Sequence, residues 1–318
     1  MGIPFLFLML FAPAKFPSGD ALDQAISLYQ AGEFKQAADI LCSLSRSSPS
    51  DSNLRLWLGK SYLKIRLWDK AVGEMEAAVR LEPSGARNQL WLGRACGARA
   101  AHSIFITALA WARRVVRAFE AARKLSPDDL DVRFDLLEYY LEAPNALGGG
   151  KDKAAAEAQA ISNLSARMGY VARAMILQKN RHWEQARKEL IQATIDYPED
   201  ADAHKDLADL LLQQRDYENA LVHAARALQL DGRSKRARLI WAASSARLRT
   251  DLDRAEQYLR ELARGPLGDE DPSFEEVYYW LGECYLAKGE KAKARESFET
   301  ALVFNPDFDR ARPHVFMR

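Results

Sequence analysis

The chain has 318 residues, of which 48% are hydrophobic and 28% are charged, so it is long enough to bury a large core. Its 45 Lys and Arg residues nearly balance 44 Asp and Glu residues, which excludes a global charge that would attract nucleic acid or an anionic surface. Three scattered cysteines, Cys42, Cys96 and Cys284, are too few and too far apart for a disulfide framework.

Residues 1–17 contain an apolar run, IPFLFLMLFA at 3–12, that ends in the small-x-small sequence Ala12-Pro13-Ala14. This pattern predicts a cleavable secretory signal peptide and therefore an exported, periplasmic protein. No Lys or Arg precedes the run, so a helix docked on the rest of a cytoplasmic protein is the alternative. The run is too short to span a bilayer, and no stable membrane span is expected after signal removal.

From residue 18 onward, small residues and helix-ending residues recur with a period of 34 residues. The unit 18–51 has a turn at Gly32-Glu33-Phe34 and ends near Pro49. The unit 52–85 repeats the pattern with Leu58-Gly59 in its first half and Pro83 at its end. Each unit predicts two helices, because its apolar residues follow helical spacing on both sides of the turn.

Three of the units, 86–129, 130–166 and 235–274, are longer than the period. The unit 86–129 has ten extra residues near 99–116, which predict lengthened helices or an inserted turn, with a membrane-inserting hairpin as the alternative. The unit 130–166 carries the loop 143–152, which includes Gly148-Gly149-Gly150-Lys151. A phosphate-binding loop would need Ser or Thr after the lysine and a strand before the glycines. Asp152 and a helical segment occupy those places, so a structural turn is favoured.

The last unit, 275–308, shows the pattern most completely. Its characteristic residues are Tyr278, Leu281, Gly282, Tyr285, Gly289, Ala294, Phe298, Ala301 and Pro306. This order of large, small and turn residues over 34 positions resembles the tetratricopeptide repeat (TPR). The eight units are 18–51, 52–85, 86–129, 130–166, 167–200, 201–234, 235–274 and 275–308, followed by a tail at 309–318.

The resemblance implies an all-α protein, a right-handed superhelical solenoid of about eight antiparallel helix pairs. It also implies a non-catalytic scaffold or adaptor whose concave groove, lined by the first helix of each pair, binds a protein or an extended peptide. A regulatory or assembly subunit that holds a cell-envelope enzyme or complex is the alternative. The stretched third unit and the P-x-x-L-G-G-G-K-D-K-A loop are further similar to bacterial exported TPR proteins.

First-helix positions 2, 5, 6, 9, 12 and 13 usually face the groove in TPR units. The resemblance therefore implies these partner-binding candidates: Trp57, Lys60, Trp91, Arg94, Phe134, Glu138, Tyr279 and Trp280. Large aromatic residues and arginine often dominate binding energy at interfaces. Packing of the two tryptophans Trp57 and Trp91 between helices is the alternative for that pair.

Catalytic and metal-binding patterns are missing from the sequence. The five histidines never pair at helical spacing with one another or with cysteine, and neither H-E-x-x-H nor C-x-x-C occurs. No G-x-S-x-G surrounds a serine. We therefore expect no enzyme activity, no cofactor and no metal site, and no nucleic-acid partner.

The C-terminal end predicts an exposed apolar surface. TPR arrays usually end in an extra solvating helix, whereas only residues 309–318 follow the last unit here, and Pro313 interrupts them. Phe304, Phe308 and Val315-Phe316-Met317 would then be uncovered. This predicts self-association, or docking on another protein, through the C-terminal repeat.

Overall fold

Sixteen helices of this computed structural model form eight consecutive antiparallel pairs. The structure describes residues 18–315, so the predicted signal peptide and the last three residues lie outside the described residues. The pairs are α1 Ser18–Gln30 and α2 Phe34–Ser47; α3 Ser52–Lys64 and α4 Trp68–Leu81; α5 Ala86–Ala101 and α6 Phe105–Leu125; α7 Leu130–Glu142 and α8 Lys151–Leu164; α9 Ala166–Lys179 and α10 Trp183–Asp196; α11 Ala201–Gln213 and α12 Tyr217–Leu230; α13 Lys235–Leu248 and α14 Leu252–Arg264; α15 Phe274–Lys288 and α16 Lys291–Phe304.

Only helical elements occur within residues 18–315: besides the pairs there are a 3-10 turn, Asn145–Leu147, and a short helix α17, Arg312–Val315. The prediction of an all-α solenoid of helix pairs is therefore confirmed. None of the helices in this part of the chain combines the length and the apolar content needed to cross a membrane.

Small residues allow the two helices of a pair to approach closely. A Cβ atom on Gly282 would lie 2.7 Å from the ring of Phe298, which is fully buried on the paired helix. Gly59 faces Met75 and Gly93 faces Phe119 in the same way. The turn inside the last pair begins at Gly289, whose φ of 81° is the left-handed conformation that glycine adopts without strain.

Helix starts are fixed by side-chain caps that follow the predicted proline breaks. Asp51, Asp129 and Asp200 each stand two residues after a proline and accept hydrogen bonds from two backbone N–H groups of the next helix. Such a cap stabilises a helix by about 1 kcal/mol. Apolar contacts between successive helices then build three core clusters that follow one another along the array.

The array also closes on itself, because its first and last pairs are in contact. Phe34 of α2 packs against Phe274 and Phe304 of the last pair, with ring centroids 6.2 and 6.3 Å away. Arg66, in the turn of the second pair, donates to Asn305 at 3.2 Å and forms an ion pair with Asp307. The sequence predicted no contact between the two ends.

The ten extra residues of the third unit lengthen its helices. α5 has 16 residues and α6 has 21, whereas most other helices have 13 or 14. Residues 102–104 join the two, and there is no inserted element between them. The third pair therefore extends beyond its neighbours at this turn.

Candidate functional site

The segment 265–273 connects the seventh helix pair to the eighth and reaches across to the first three pairs. We call it the acidic loop because it contains Asp269, Glu270 and Asp271. The N–H of Leu267 donates to the carbonyl of Gln30 at 2.7 Å. On the other side, Nζ of Lys235 donates to the carbonyl of Pro266 at 2.5 Å and to the Asp271 carboxylate at 2.8 Å. Lys235 belongs to α13, so the loop is held from both ends of the array.

Asp269 inserts into a pocket formed by Tyr29, Trp57, Lys60 and Trp91, which we call the lysine pocket. Nζ of Lys60 lies 2.5 Å from Oδ2 of Asp269, and the Lys60 side chain is fully buried. The same Nζ atom is 3.7 Å from the ring centroid of Trp57, 4.7 Å from that of Trp91 and 5.2 Å from that of Tyr29. Three ring faces and one carboxylate therefore stabilise the buried ammonium group.

The charge states in the lysine pocket follow from burial. Burial lowers the pKa of Lys60, although Asp269 favours its charged form. Burial, together with the charge of Asp269, raises the pKa of Tyr29 far above its usual value. The Tyr29 hydroxyl therefore keeps its proton and donates it to Oδ1 of Asp269 at 2.9 Å.

Four of the predicted groove residues thus lie close together. Trp57 and Trp91 both face Lys60, and the guanidinium of Arg94 lies 4.9 Å from the Trp91 ring centroid. Their occupant is the protein's own acidic loop, through Asp269. Whether a partner uses these residues stays a prediction. Sequence reasoning missed Tyr29 and Asp269, which complete the pocket.

A second concave region, the acidic recess, lies beside the loop between the third and fourth pairs. Its lining includes Arg94, Asp135, Glu138, Glu142 and Glu270. Arg94 donates to both oxygens of Asp135, at 2.7 and 3.3 Å. The pKa of Asp135 is raised by burial, which outweighs the effect of Arg94. Burial and then the charge of Asp135 raise the pKa of Glu138.

Glu138 is exposed in the acidic recess, as a groove residue should be. Phe134 is half-buried and packs against the core of the second to fifth pairs. The two residues lie one helical turn apart on α7, and only Glu138 lines the acidic recess.

A third region, the basic recess, lies on the first helices of the last three pairs. Four arginines line it together with Tyr279 and Trp280: Arg215, Arg236, Arg247 and Arg310. Its two carboxylates, Asp209 and Glu276, both pair with Arg236 at 2.5 Å. Arg247 pairs with the buried Glu283 at 2.9 Å. Within the described residues, Arg215 and Arg310 have no ion-pair partner.

Tyr279 and Trp280 form the floor of the basic recess rather than projecting from it, since only 4% and 2% of their surfaces are exposed. The guanidinium of Arg310 lies 4.3 Å from the Tyr279 ring centroid and 5.1 Å from that of Trp280. The indole N–H of Trp280 has no hydrogen-bond partner among the described residues. The structure therefore separates these two candidates from Trp57 and Trp91 and gives them a site of their own.

The described part of the C-terminal end is covered within the chain. Phe304 packs on Phe34 and Phe274, and Phe308 lies 5.7 Å from Tyr279 between ring centroids. His314 of α17 stacks on Phe298 at 4.4 Å. These contacts remove Phe304 and Phe308 from the predicted apolar surface, while Phe316 and Met317 lie outside the described residues. Self-association stays a prediction.

The loop 143–152 is a compact turn whose shape depends on its glycines. A Cβ atom on Gly149 would lie 1.8 Å from the carbonyl oxygen of Ala143.

We expect Gly149→Ala to lower the free energy of unfolding by roughly 2 kcal/mol, because the backbone must move to relieve this clash. Gly73→Ala on the exposed face of α4, where a Cβ atom meets nothing within 4 Å, should instead raise it by roughly 0.5–1 kcal/mol. Urea denaturation of both variants checks this, and equal effects would contradict it.

Two histidines that the sequence search did not connect meet between α11 and α12. Nδ1 of His204 lies 3.1 Å from Nδ1 of His223, and the rings stack 5.4 Å apart. They are 19 residues apart, so a search for helical spacing overlooks them. Within residues 18–315, no group of three or more His, Cys, Asp or Glu side chains is arranged to hold a metal ion.

Acidification is expected to destabilise the protein through this histidine pair. Burial, then the charges of His204 and Arg187, lower the pKa of His223 in the folded state. The unfolded chain, with an ordinary histidine pKa of about 6.5, therefore binds more protons as the pH falls below that value. The free energy of unfolding should decrease with falling pH more steeply in the wild type than in His223→Gln. Urea denaturation between pH 7.5 and 5 measures both slopes, and identical slopes would refute the assignment.

Comparison with known proteins identifies the family. Models described as tetratricopeptide repeat match residues 22–86, 171–237 and 275–308, which together make up just over half of the chain. The chain therefore belongs to the tetratricopeptide repeat family. No curated protein matches the sequence.

The chain is also similar to solved structures. The chain is similar to yeast Tom70 with a TM-score of 0.60 and 15% identity, over 99% of this chain and 66% of that one, so it spans about two thirds of the length of Tom70. A tetratricopeptide repeat protein from Parabacteroides merdae matches with a TM-score of 0.47 and 11% identity, over 94% of this chain and 97% of that one. At these identities the likeness to Tom70 shows the fold alone.

Proposed function

We propose that this protein is a non-catalytic adaptor that binds an extended, acidic segment of a partner protein in the concave groove of its TPR array. The observation that carries the proposal is the basic recess. Four arginines line it over an aromatic floor: Arg236 and Arg247 of α13, Arg215 of the turn after α11, and Arg310 of the segment after α16. Arginine and tryptophan are the residue types that most often dominate binding at protein interfaces.

The charge of the basic recess favours an acidic ligand. Arg215 and Arg310 are available for carboxylates, and Arg310 is already held in place by its contacts with Tyr279 and Trp280. A guanidinium that is positioned before binding loses less conformational entropy when it pairs with a carboxylate.

The acidic loop supports the same proposal from within the molecule. It is an irregular segment with a turn at Asp269-Glu270, and it places the carboxylate of Asp269 on Lys60, at a groove position of the second pair. The inner surface of this array thus accepts an acidic segment that is not helical. A partner segment in the basic recess would use the same chemistry on the pairs that the loop leaves open.

A peptide array tests the proposal directly. Extended 12-residue peptides rich in Asp and Glu are compared with counterparts in which Lys replaces each acidic residue, and the affinity of the best binder is measured by fluorescence polarisation. We expect acidic peptides to bind and Arg310→Glu to weaken them about tenfold. Arg233→Glu is the matched control, because its side chain is 96% exposed and lies outside the recess. Equal binding by the two variants, or no preference for acidic peptides, would refute the proposed site.

We also propose that the protein is exported, on the basis of the apolar run at 3–12 and the small-x-small sequence that follows it. Fractionation of cells that express the full chain, followed by N-terminal sequencing, tests this. Export predicts a mature chain that begins shortly after Ala14. An intact N-terminus in the cytoplasmic fraction would favour the docked helix.

A further inference from the structure

The tip of the third helix pair exposes three consecutive large apolar side chains. Ile104, Phe105 and Ile106 are 73%, 78% and 77% exposed. They lie where the lengthened α5 and α6 extend beyond the neighbouring pairs. The other exposed large apolar residues of the described part of the chain, such as Val222 and Val303, do not form a consecutive run, so this apolar tip has no explanation in the fold or in the groove.

The base of the extension contacts neighbouring helices on both sides, although its tip is exposed. Arg99 of α5 pairs with Asp69 of α4 at 2.6 Å, and the His102 ring stacks on Trp68 at 4.6 Å. On the other side, the hydroxyl of Tyr139 donates to the carbonyl of Ala112 at 2.9 Å. The fold thus presents the tip in a fixed orientation.

The surface behind the apolar tip is basic. No Asp or Glu occurs between Glu82 and Glu120, whereas six arginines do. Three of these arginines are paired with acids on other helices, namely Asp135, Asp69 and Glu76. Arg113 and Arg117 are exposed and pair with no acid in residues 18–315.

Arg113 and Arg117 lie on the same side of α6 as Ile106. Ile106, Ala110, Arg113 and Arg117 are separated by four, three and four residues, which places them along one stripe of the helix. At 1.5 Å per residue, Arg113 lies roughly 10 Å and Arg117 roughly 16 Å along the axis from Ile106. Apolar side chains that enter an interface by 5–10 Å would therefore bring Arg113 to the level of the headgroups.

We propose that this tip inserts into the headgroup–acyl boundary of an anionic membrane, and that Arg113 and Arg117 bind the lipid phosphates. The arrangement of the three apolar side chains favours a membrane over a protein groove. Ile104 caps the helix in an extended conformation, and Phe105 and Ile106 are its first two residues, so the side chains diverge by about 100° per residue. A fluid acyl layer surrounds such a tip on all sides, whereas a rigid partner surface contacts only one side.

Vesicle flotation of the full chain tests the proposal. The vesicles contain phosphatidylcholine alone or phosphatidylcholine with 30% phosphatidylglycerol. We expect wild-type protein to bind the anionic vesicles, and Phe105→Ser/Ile106→Ser to bind them at least tenfold more weakly. Arg113→Gln/Arg117→Gln should lose the preference for anionic vesicles. Val303→Ser on α16, at a site 79% exposed, is the matched control and should bind as the wild type does.

All substituted side chains are exposed, so circular dichroism should show unchanged folding for each variant. The apolar run at 3–12 is present in every variant and cannot produce a difference between them. Equal vesicle binding by the wild type and the Phe105→Ser/Ile106→Ser protein would overturn the proposal and favour a protein partner for the tip. An effect of Val303→Ser as large as that of the tip variant would also overturn it.

Discussion

Asp269→Ala is expected to lower the free energy of unfolding by about 3 kcal/mol, because it removes the only carboxylate of residues 18–315 that lies within 4 Å of the fully buried Lys60 ammonium. Release of the acidic loop in this variant would allow water to reach Lys60. Hydration of the ammonium group would then limit the decrease in the free energy of unfolding. Urea denaturation followed by circular dichroism measures the change. The Tyr29 hydroxyl loses its acceptor at the same time.

Two further variants distinguish this ion pair from general damage to the loop. Lys60→Met keeps an unbranched apolar chain among the three rings and leaves Asp269 partly exposed to water, so it should cost less than Asp269→Ala. In the Lys60→Met/Asp269→Ala double variant no unpaired buried charge remains, and part of the loss should be recovered.

Glu270→Gln is the matched control in the same loop. The pKa of Glu270 is raised by burial and then by the charge of Asp131, so its ionised form is disfavoured in the folded protein. Removing that charge should leave the stability unchanged or slightly higher at pH 7. If Asp269→Ala and Glu270→Gln lowered stability equally, the Lys60 ion pair would not be what holds the loop.

The architecture could be predicted because each TPR unit encodes its own packing locally. Gly282 allows Phe298 to approach, and Gly289 permits the left-handed turn, and both effects act within 20 residues of sequence. The extra length of the third unit likewise translated into longer helices.

The closure of the array could not be predicted, because it depends on small rotations that accumulate over eight pairs. Tyr29 and Asp269 are 240 residues apart, and no local pattern relates them. The sequence shows the acidic loop only as a polar connection. The paired histidines could not be predicted for the same reason, because they lie on two different helices. The basic recess could not be predicted either, because its lining residues come from three helix pairs.

The backbone conformation of several turns between helices could not be predicted from the sequence either. Arg66, Arg181, Arg215 and Arg249 adopt the left-handed conformation that glycine has in the first and last units, with φ between 56° and 63°. Packing of the helix pairs fixes these turns in spite of the strain that a side chain adds. The side chain of Arg66 contacts Asn305 and Asp307, and it thereby joins the second helix pair to the C-terminal end of the array.

Phe274→Ala is expected to release the first helix pair from the last. Phe274 is 5% exposed, stacks on Phe304 with ring centroids 4.9 Å apart and meets Phe34 at 6.2 Å. Loss of this ring should lower the free energy of unfolding by about 3–5 kcal/mol. In an open solenoid each repeat is stabilised only by its neighbours, so a change in the eighth pair would not reach the first.

Hydrogen exchange monitored by mass spectrometry distinguishes a closed array from an open one. In Phe274→Ala, amides of α1 and α2 should exchange faster relative to the slowest amides of the same variant. Phe34→Ala should reciprocally accelerate exchange in α15 and α16. Phe119→Ala is the control for stability loss alone: its ring is 6% exposed in the third pair, so faster exchange should centre on α5 and α6. If the aromatic contact couples the two ends, the first and the last helix pairs must open together. Unchanged exchange of α1 and α2 in Phe274→Ala would therefore show that the two ends are not energetically coupled.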